Sequence, residues 1–157
     1  MNSEYQGLEV DYSRRGQILH LSEIPPQEIL YSVVDILGQQ VHYSRQADNY
    51  VKDSRRSKPW QRYTLNYLDK NPGILKEPGI VIKDAEDFTQ NTLIYYKEIY
   101  IREKRRNVLF ALVVKIAEEN VIYNFDPQET GKVKSYNRYP QLEVIYLRPG
   151  YRMRRYF

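Results

Sequence analysis

Between Asn91 and Asp126 the apolar residues form three β-rich runs separated by short charged stretches. The runs read NTLIYYKEIYI, VLFALVVKIA and VIYNFD, and the stretches between them read REKRRN and EEN. Runs rich in β-branched and aromatic residues, bounded by short polar pieces, are typical of antiparallel strands. The middle run is apolar at nearly every position from Val108 to Ala117, as expected for a central strand covered on both faces. The pattern therefore predicts a three-stranded meander.

Lys115 is the single charged residue in the middle run. Because side chains alternate along a strand, Lys115 should share a face with Leu109 and Val113. Burying an ammonium group alone is very costly, so this lysine must reach water, pair with an acid or line a cleft. The simplest of these is a strand-end lysine that extends to water. Lys97 interrupts the first run in a similar way, which we interpret as the mark of a bulge.

Upstream of the meander the pattern predicts helices. From Gln27 to Gly38 the apolar positions recur at three- and four-residue spacings, which indicates an amphipathic helix entered through residues 22–26. Val41–Tyr43 is then a short strand, and Ser44 is placed to cap a second helix that runs through Val51.

The second helix should fray over residues 52–58 into a basic linker, because this segment is too polar for a core. Helical spacing returns at Trp60, Tyr63, Tyr67 and Leu68, so a third helix should follow and end at Asn71-Pro72-Gly73.

Shorter runs predict the remaining strands, at residues 18–21, 80–82, 132–136 and 141–147, whereas residues 1–16 show no periodicity. Helices followed by a sheet indicate the α+β class rather than alternating α/β. We therefore expect N-terminal helices packed on a four- to five-stranded, mainly antiparallel sheet that contains the meander of residues 92–126. One domain should span residues 1–147, with residues 148–157 as an Arg-rich tail.

Composition narrows the chemistry. The chain has 157 residues, 41% of them hydrophobic, which suits one globular domain. It has no cysteine and only two histidines, His20 and His42, so disulfides and thiol catalysis are excluded and a zinc site is not expected. We expect no metal and no cofactor. No run approaches a membrane span, and residues 1–16 lack the hydrophobic region of a signal peptide, which favours a cytoplasmic protein without a membrane partner.

The excess positive charge is localised. The formal charge is +4, and the last ten residues hold four arginines and no acid, which leaves 20 basic and 20 acidic residues in the remainder. Basic clusters combined with sixteen tyrosines suit nucleic acid, through phosphate neutralisation and base stacking. The candidate nucleic-acid-binding residues are Arg55, Arg62, Arg102, Arg105, Arg106, Lys134, Arg138, Arg152, Arg154 and Arg155.

Motifs of classical hydrolases and nucleotidyl transferases do not occur in the sequence. It contains no glycine-rich phosphate loop, no Gly-x-Ser-x-Gly elbow and no carboxylate–histidine metal spacing. The acids Asp84, Glu86 and Asp87 form a small cluster, which we interpret as a cap at a strand entrance.

The layout resembles that of the barnase/RelE-like nuclease superfamily, in its phage- or toxin-associated branch. The resemblance covers about residues 40–139 and rests on the VHYS strand, the SRQADNYV helix, the PGIVI entry and the YYK, VLFALVVK and VIYNFD strands. It implies a small α+β domain that cleaves RNA on the face of an antiparallel sheet. The glutamate–histidine pair of barnase-type members has no counterpart at matching positions in this chain.

By this resemblance His42, Lys115 and Asn124 would be the catalytic residues, with Lys134 and Ser135 at the next edge. The RNA 2′-hydroxyl would attack its own phosphate without a metal, so the protein would supply an acid, a base and cations for the transition state. His42 would serve as acid or base, and Lys115 with Arg102 or Arg138 would hold the phosphate.

Three hypotheses follow. The chain is a metal-independent ribonuclease or toxin-like domain, or a non-enzymatic module whose Arg/Tyr surface docks nucleic acid or an acidic protein such as an antitoxin or immunity protein. A structural role in a larger complex, with the tail inserted into a neighbour, is the third. The sequence does not indicate an oligomeric state.

Overall fold

A sheet of seven strands, with helices on one of its faces, organises the chain. A computed structural model describes residues 8–10, 18–20, 28–83, 92–116, 120–128 and 143–152. The elements are β1 (Leu8–Val10), β2 (Ile18–His20), β3 (Ile29–Val34), β4 (Gln40–Ser44), α1 (Arg45–Arg56), a 3-10 helix (Pro59–Lys70), α2 (Asn71–Lys76), β5 (Ile80–Lys83), β6 (Thr92–Ile101), a short 3-10 turn (Arg102–Lys104), β7 (Arg106–Lys115), β8 (Asn120–Pro127) and β9 (Val144–Leu147).

The predicted meander is confirmed. β6 pairs antiparallel with β7 from Thr92 to Ile101 without a break, and β7 pairs antiparallel with β8. β7 lies in the middle of the sheet order β3-β4-β8-β7-β6-β5-β9, and its residues 108–115 are all buried, as a strand covered on both faces requires. The bulge expected at Lys97 is wrong, since Lys97 pairs with Phe110 in continuous register.

The α+β class is confirmed, but the sheet is larger than predicted and mixed. It has seven strands instead of four or five, and β4 pairs parallel with β8 through Val41–Asn120 and His42–Val121. β1 and β2 form a separate antiparallel pair. The parallel contact joins strands about 80 residues apart in sequence, so no local sequence pattern predicts it.

The first predicted helix is wrong, because residues 29–34 form strand β3. Leu30 and Val34 are exposed, so the helical spacing of the apolar residues does not mark a core stripe. A tight turn governs this segment instead: the Asp35 carboxylate accepts hydrogen bonds from the N–H groups of Leu37 and Gln39, and Gly38 has a φ of 78°. Cross-strand pairing with β4 therefore determines the structure of residues 29–34, although their apolar spacing is helical.

The second predicted helix and its cap are confirmed. Ser44 Oγ accepts a hydrogen bond from the Ala47 N–H at 3.1 Å and begins α1. The helix continues to Arg56, so the fraying predicted from residue 52 is wrong. The reason is that Val51 and Arg55 lie one turn apart on the buried side, while the polar residues between them point outward.

The third helix forms, but most of it is a 3-10 helix. Its buried residues are Gln61, Thr64 and Tyr67, at every third position, which matches the three residues per turn of this helix type. The predicted end at Asn71 is confirmed, since the 3-10 helix ends at Lys70 with Asn71 as its C-cap. A separate short helix, α2, begins at Asn71, and Pro72 is tolerated in its first turn.

The sheet has two different faces. The helix face contacts α1, the 3-10 helix and α2, and its core includes Tyr43, Tyr95, Leu112 and a stacked pair, Phe110 and Phe125, with ring centroids 4.7 Å apart. The far face is the opposite one, with Ile94, Ala111, Val113, Val121 and Tyr123. This division follows the alternation predicted along β7.

At the β9 edge the chain packs back onto the sheet. The last predicted strand is seen as β9, which pairs antiparallel with β5, and the N–H of Arg148 donates to the carbonyl of Gly79. A Cβ at Gly79 would lie 2.3 Å from the Tyr151 ring, so any larger residue at this position would displace that ring. The first residues after β9 are thus in contact with β5.

Several predictions fall outside the described residues. They concern the helix entry at 22–26, the acidic cluster at 84–87, the strand at 132–136, and the candidate residues Lys134, Arg138, Arg154 and Arg155. Among the helices that are described, none is both long enough and apolar enough to cross a membrane.

Candidate functional site

The far face carries a row of residues that includes two of the predicted catalytic positions. In register across five strands the row runs Ser32 on β3, His42 on β4, Val121 on β8, Lys115 on β7 and Thr92 on β6. His42 and Lys115 are thus two strands apart, with backbones about 10 Å from each other. The structure places both residues on the far face.

Lys115 lies inside the fold and does not extend to water. Its side chain is fully buried, its Nζ donates a hydrogen bond to Thr92 Oγ1 at 2.6 Å, and the same ammonium lies 5.6 Å from the centroid of the Tyr123 ring. The hydroxyl and the π face both interact favourably with the cation. The simplest expectation from the sequence, a lysine at the strand end reaching solvent, therefore does not hold.

His42 is buried and paired with a serine. Its Nδ1 lies 2.6 Å from Ser32 Oγ on the neighbouring strand β3, and Ser32 itself is exposed. Because one ring nitrogen is engaged by Ser32, acid–base chemistry at this residue would have to use Nε2.

Asn124 lies beside the row. The register of β8 shifts between Val113 and Val114, which leaves Tyr123 as an extra residue and pairs Asn124 with Val113. The Asn124 Oδ1 accepts a hydrogen bond from the Phe125 N–H at 2.9 Å, so the side chain stabilises the bulge locally. All three predicted catalytic residues lie on β4, β7 and β8, which are neighbours in the sheet.

The basic residues divide into buried and exposed groups. The Arg55 side chain is only 4% exposed, and its Nη1 contacts Asp126 Oδ1 at 2.6 Å and Gln61 Oε1 at 2.5 Å. Arg55 therefore belongs to the core and not to a binding surface. Arg62, Arg102, Arg105, Arg106 and Arg152 are exposed.

The structure joins the β6–β7 turn to the 3-10 helix. We call residues 102–106 the basic turn. The Lys104 Nζ lies 4.8 Å from the centroid of the Tyr63 ring, the Tyr67 hydroxyl donates to Glu103 Oε1 at 2.6 Å, and the Arg102 N–H donates to the Tyr67 hydroxyl at 3.0 Å. The basic turn thus contacts the 3-10 helix through Tyr63 and Tyr67.

Exposed aromatic rings accompany the basic turn. In a 3-10 helix residues three apart are eclipsed, so Trp60 lies on the same side as Tyr63, the ring under Lys104. Trp60 is 60% exposed. Tyr100, two residues before the turn, is also exposed, but it lies between Ile99 and Ile101 of the helix-face core and therefore points to the far face. We define the aromatic–basic surface as Trp60, Tyr63, Arg102, Lys104, Arg105 and Arg106.

Arg105 has an unusual backbone. Its φ is 50° and its ψ 39°, the left-handed region that glycine adopts at lower cost. An arginine held there costs about 1 kcal/mol or more. This conformation closes the tight turn between β6 and β7, where the Arg105 N–H donates to the carbonyl of Arg102.

Glu103 remains charged within this basic environment. The hydrogen bond from the Tyr67 hydroxyl is the main reason that the pKa of the Glu103 carboxyl lies below its ordinary value, and the charge of Arg102 lowers it further. Near neutral pH the turn therefore carries four cations and one anion.

Among the described residues, no group of three or more histidine or acidic side chains could hold a metal ion. Three residues of the aromatic–basic surface are not among the candidates predicted from the sequence: Trp60, Tyr63 and Lys104. The buried residues Gln61, Thr64 and Tyr67 are three apart, but two of them are polar, so the sequence has no hydrophobic period that separates the buried Tyr67 from the exposed Trp60.

Comparisons of the chain with protein-family models, with curated protein sequences and with solved structures each give no match. The resemblance to the barnase/RelE-like superfamily stays a prediction, and the function rests on the two sites described above.

Proposed function

We propose that the chain binds single-stranded nucleic acid, RNA foremost, through the aromatic–basic surface. The observation that carries this proposal is the contact between Lys104 and the Tyr63 ring, because it unites the basic turn with the 3-10 helix. Surfaces that bind single strands combine cations along the backbone with flat rings on which bases stack. Arg102, Arg105 and Arg106 supply the cations, and Trp60 supplies an exposed ring.

The exposed aromatic rings favour single strands over duplexes. Bases in a duplex are already stacked on each other, whereas an unpaired base can stack on tryptophan or tyrosine.

The single tryptophan offers a direct test of the proposal. Titration with a single-stranded RNA oligonucleotide should quench Trp60 fluorescence, while the same sequence as a duplex should quench it less. Trp60→Ala should weaken binding, measured by anisotropy of the labelled RNA, by about 1–3 kcal/mol. Lys76→Ala, which removes an exposed cation from α2, is the control and should bind like the wild type. Absence of binding at low salt would refute the proposal.

Arg105→Gly separates binding from stability. Glycine relieves the left-handed backbone, so thermal stability should stay equal or rise, while one phosphate contact is lost. The slope of log K against log salt should fall by about 0.7 for single-stranded RNA. A variant with an unchanged slope would place Arg105 outside the binding surface.

RNA cleavage on the far face is the second candidate function. The observation that favours it is the row that holds His42 and Lys115 on one face. In this mechanism His42 Nε2 takes the proton of the 2′-hydroxyl as that oxygen attacks the adjacent phosphorus, and it returns the proton to the 5′-oxygen as the bond from phosphorus to that oxygen breaks. Lys115 stabilises the phosphorane. Lys115 is fully buried, so the far face would have to open before the phosphate could reach it.

Incubation of the purified chain with total RNA in EDTA tests cleavage. We expect fragments with cyclic phosphate ends, and Lys115→Met should abolish them while Lys76→Met leaves them unchanged. If the protein is folded and the RNA stays intact, the cleavage function is refuted, whereas the proposed binding of single-stranded RNA is not affected. In cells, expression of an active nuclease should slow growth, and His42→Ala should restore it.

A further inference from the structure

One buried tyrosine makes two hydrogen bonds to consecutive residues of the basic turn. The Tyr67 ring belongs to the core on the helix face, and its hydroxyl both donates to Glu103 Oε1 at 2.6 Å and accepts from the Arg102 N–H at 3.0 Å. A tyrosine ring has few rotatable bonds, so its buried position fixes the hydroxyl and through it the start of the turn.

Glu103 is otherwise hard to explain in a surface that binds phosphates. Its carboxylate is exposed between Arg102 and Lys104 and would repel a nucleic-acid backbone. Its hydrogen bond with Tyr67 gives it a role, because a phenol bonded to a carboxylate makes a short, strong contact.

We infer that Tyr67 is the positioning residue of the aromatic–basic surface: its hydroxyl, through Glu103 and the Arg102 amide, holds the basic turn in the conformation that presents Arg102 and Arg105 to phosphates. The inference rests on the proposed nucleic-acid binding. Ordering a loose loop at the moment of binding weakens affinity, whereas a turn already in place avoids that cost. Tyr67 touches no ligand in this arrangement.

Tyr67→Phe in the full chain removes the hydroxyl and keeps the ring. We expect the dissociation constant for single-stranded RNA to rise about three- to tenfold. The salt slope should stay unchanged, because every phosphate contact is retained. Exchange of the Arg102 and Glu103 amide hydrogens should become faster. Tyr43→Phe is the matched control, since it removes another hydroxyl bonded to an acid, Asp48, on a different part of the fold.

Glu103 is exposed, so two substitutions at this residue test the role of its hydrogen bond without disturbing the core. Glu103→Gln keeps an acceptor for Tyr67 and removes the negative charge, so binding should equal or exceed that of the wild type. Glu103→Ala removes both the charge and the acceptor, so it should bind several-fold more weakly than Glu103→Gln. If the two variants bind equally tightly, Glu103 only repels phosphate and the inference fails.

The outcomes also separate this inference from the proposed function. Absence of RNA binding by the wild type would overturn the proposed function, and with it any role of Tyr67 in binding. If the wild type binds and Tyr67→Phe binds equally well although its turn amides exchange faster, nucleic-acid binding stands and the positioning role is refuted.

Discussion

Arg55→Ala should destabilise the fold by about 3 kcal/mol, because it removes a buried side chain that donates a hydrogen bond to the buried Gln61 and forms an ion pair with the partly exposed Asp126. The Arg55 side chain is 4% exposed and contacts Asp126 and Gln61, while Asp126 is 37% exposed and regains part of its hydration when the arginine is lost. For a chain of this length the expected decrease in melting temperature is roughly 6–12 °C. Circular dichroism during thermal unfolding measures it.

The neighbouring residue supplies the control for this prediction. The Arg56 Nη1 lies 3.8 Å from Asp53 Oδ1, and both side chains are exposed. Arg56→Ala should therefore change the free energy of unfolding by no more than about 0.5 kcal/mol. The double variant Arg55→Ala/Asp126→Ala should lose less than the sum of the single variants, since the two side chains contact each other. Equal stabilities of Arg55→Ala and Arg56→Ala, with weaker RNA binding in the former, would return Arg55 to the binding surface.

Local patterns predicted the parts of the fold that local forces determine. The meander follows from β-rich runs that end at charged turns, and Ser44 caps α1 through a contact three residues away. The helix predicted over β3 is wrong because two of the apolar residues at helical spacing, Leu30 and Val34, are exposed and do not form a buried stripe. What decides its structure is pairing with β4 and the Asp35 turn.

Long-range contacts explain what the sequence could not predict. The parallel contact of β4 with β8 joins distant segments and creates the far-face row that holds His42 and Lys115, so no local pattern predicts this row. Arg55 looked like part of a basic cluster because its partner, Asp126, lies 71 residues away. The sequence shows the positive charge of the basic turn, but it does not predict the contacts of this turn with Tyr63 and Tyr67.

Two tyrosines of the helix face, Tyr31 and Tyr95, make the fold less stable at alkaline pH. Burial raises the pKa of Tyr31 to about 12, and it also raises the pKa of Tyr95, whose hydroxyl donates a hydrogen bond to the buried carboxylate of Asp35. In the unfolded chain both tyrosines ionise near pH 10. Above that pH the unfolded state therefore binds fewer protons than the folded state, and the free energy of unfolding must fall as the pH rises.

The second large effect is thus alkaline unfolding between about pH 10 and pH 12. Each buried tyrosine contributes a decrease of about 1.4 kcal/mol per pH unit at most, less for the half-buried Tyr31. Urea unfolding of the wild type at several pH values measures the slope, and comparison with variants cancels the background from lysines. Tyr95→Phe should make the slope shallower, because it removes one of the two titrating groups, whereas Tyr100→Phe at an exposed site should leave it unchanged. Parallel slopes for all three proteins would show that Tyr95 ionises as readily in the folded state as in the unfolded chain, against the burial and the Asp35 contact described above.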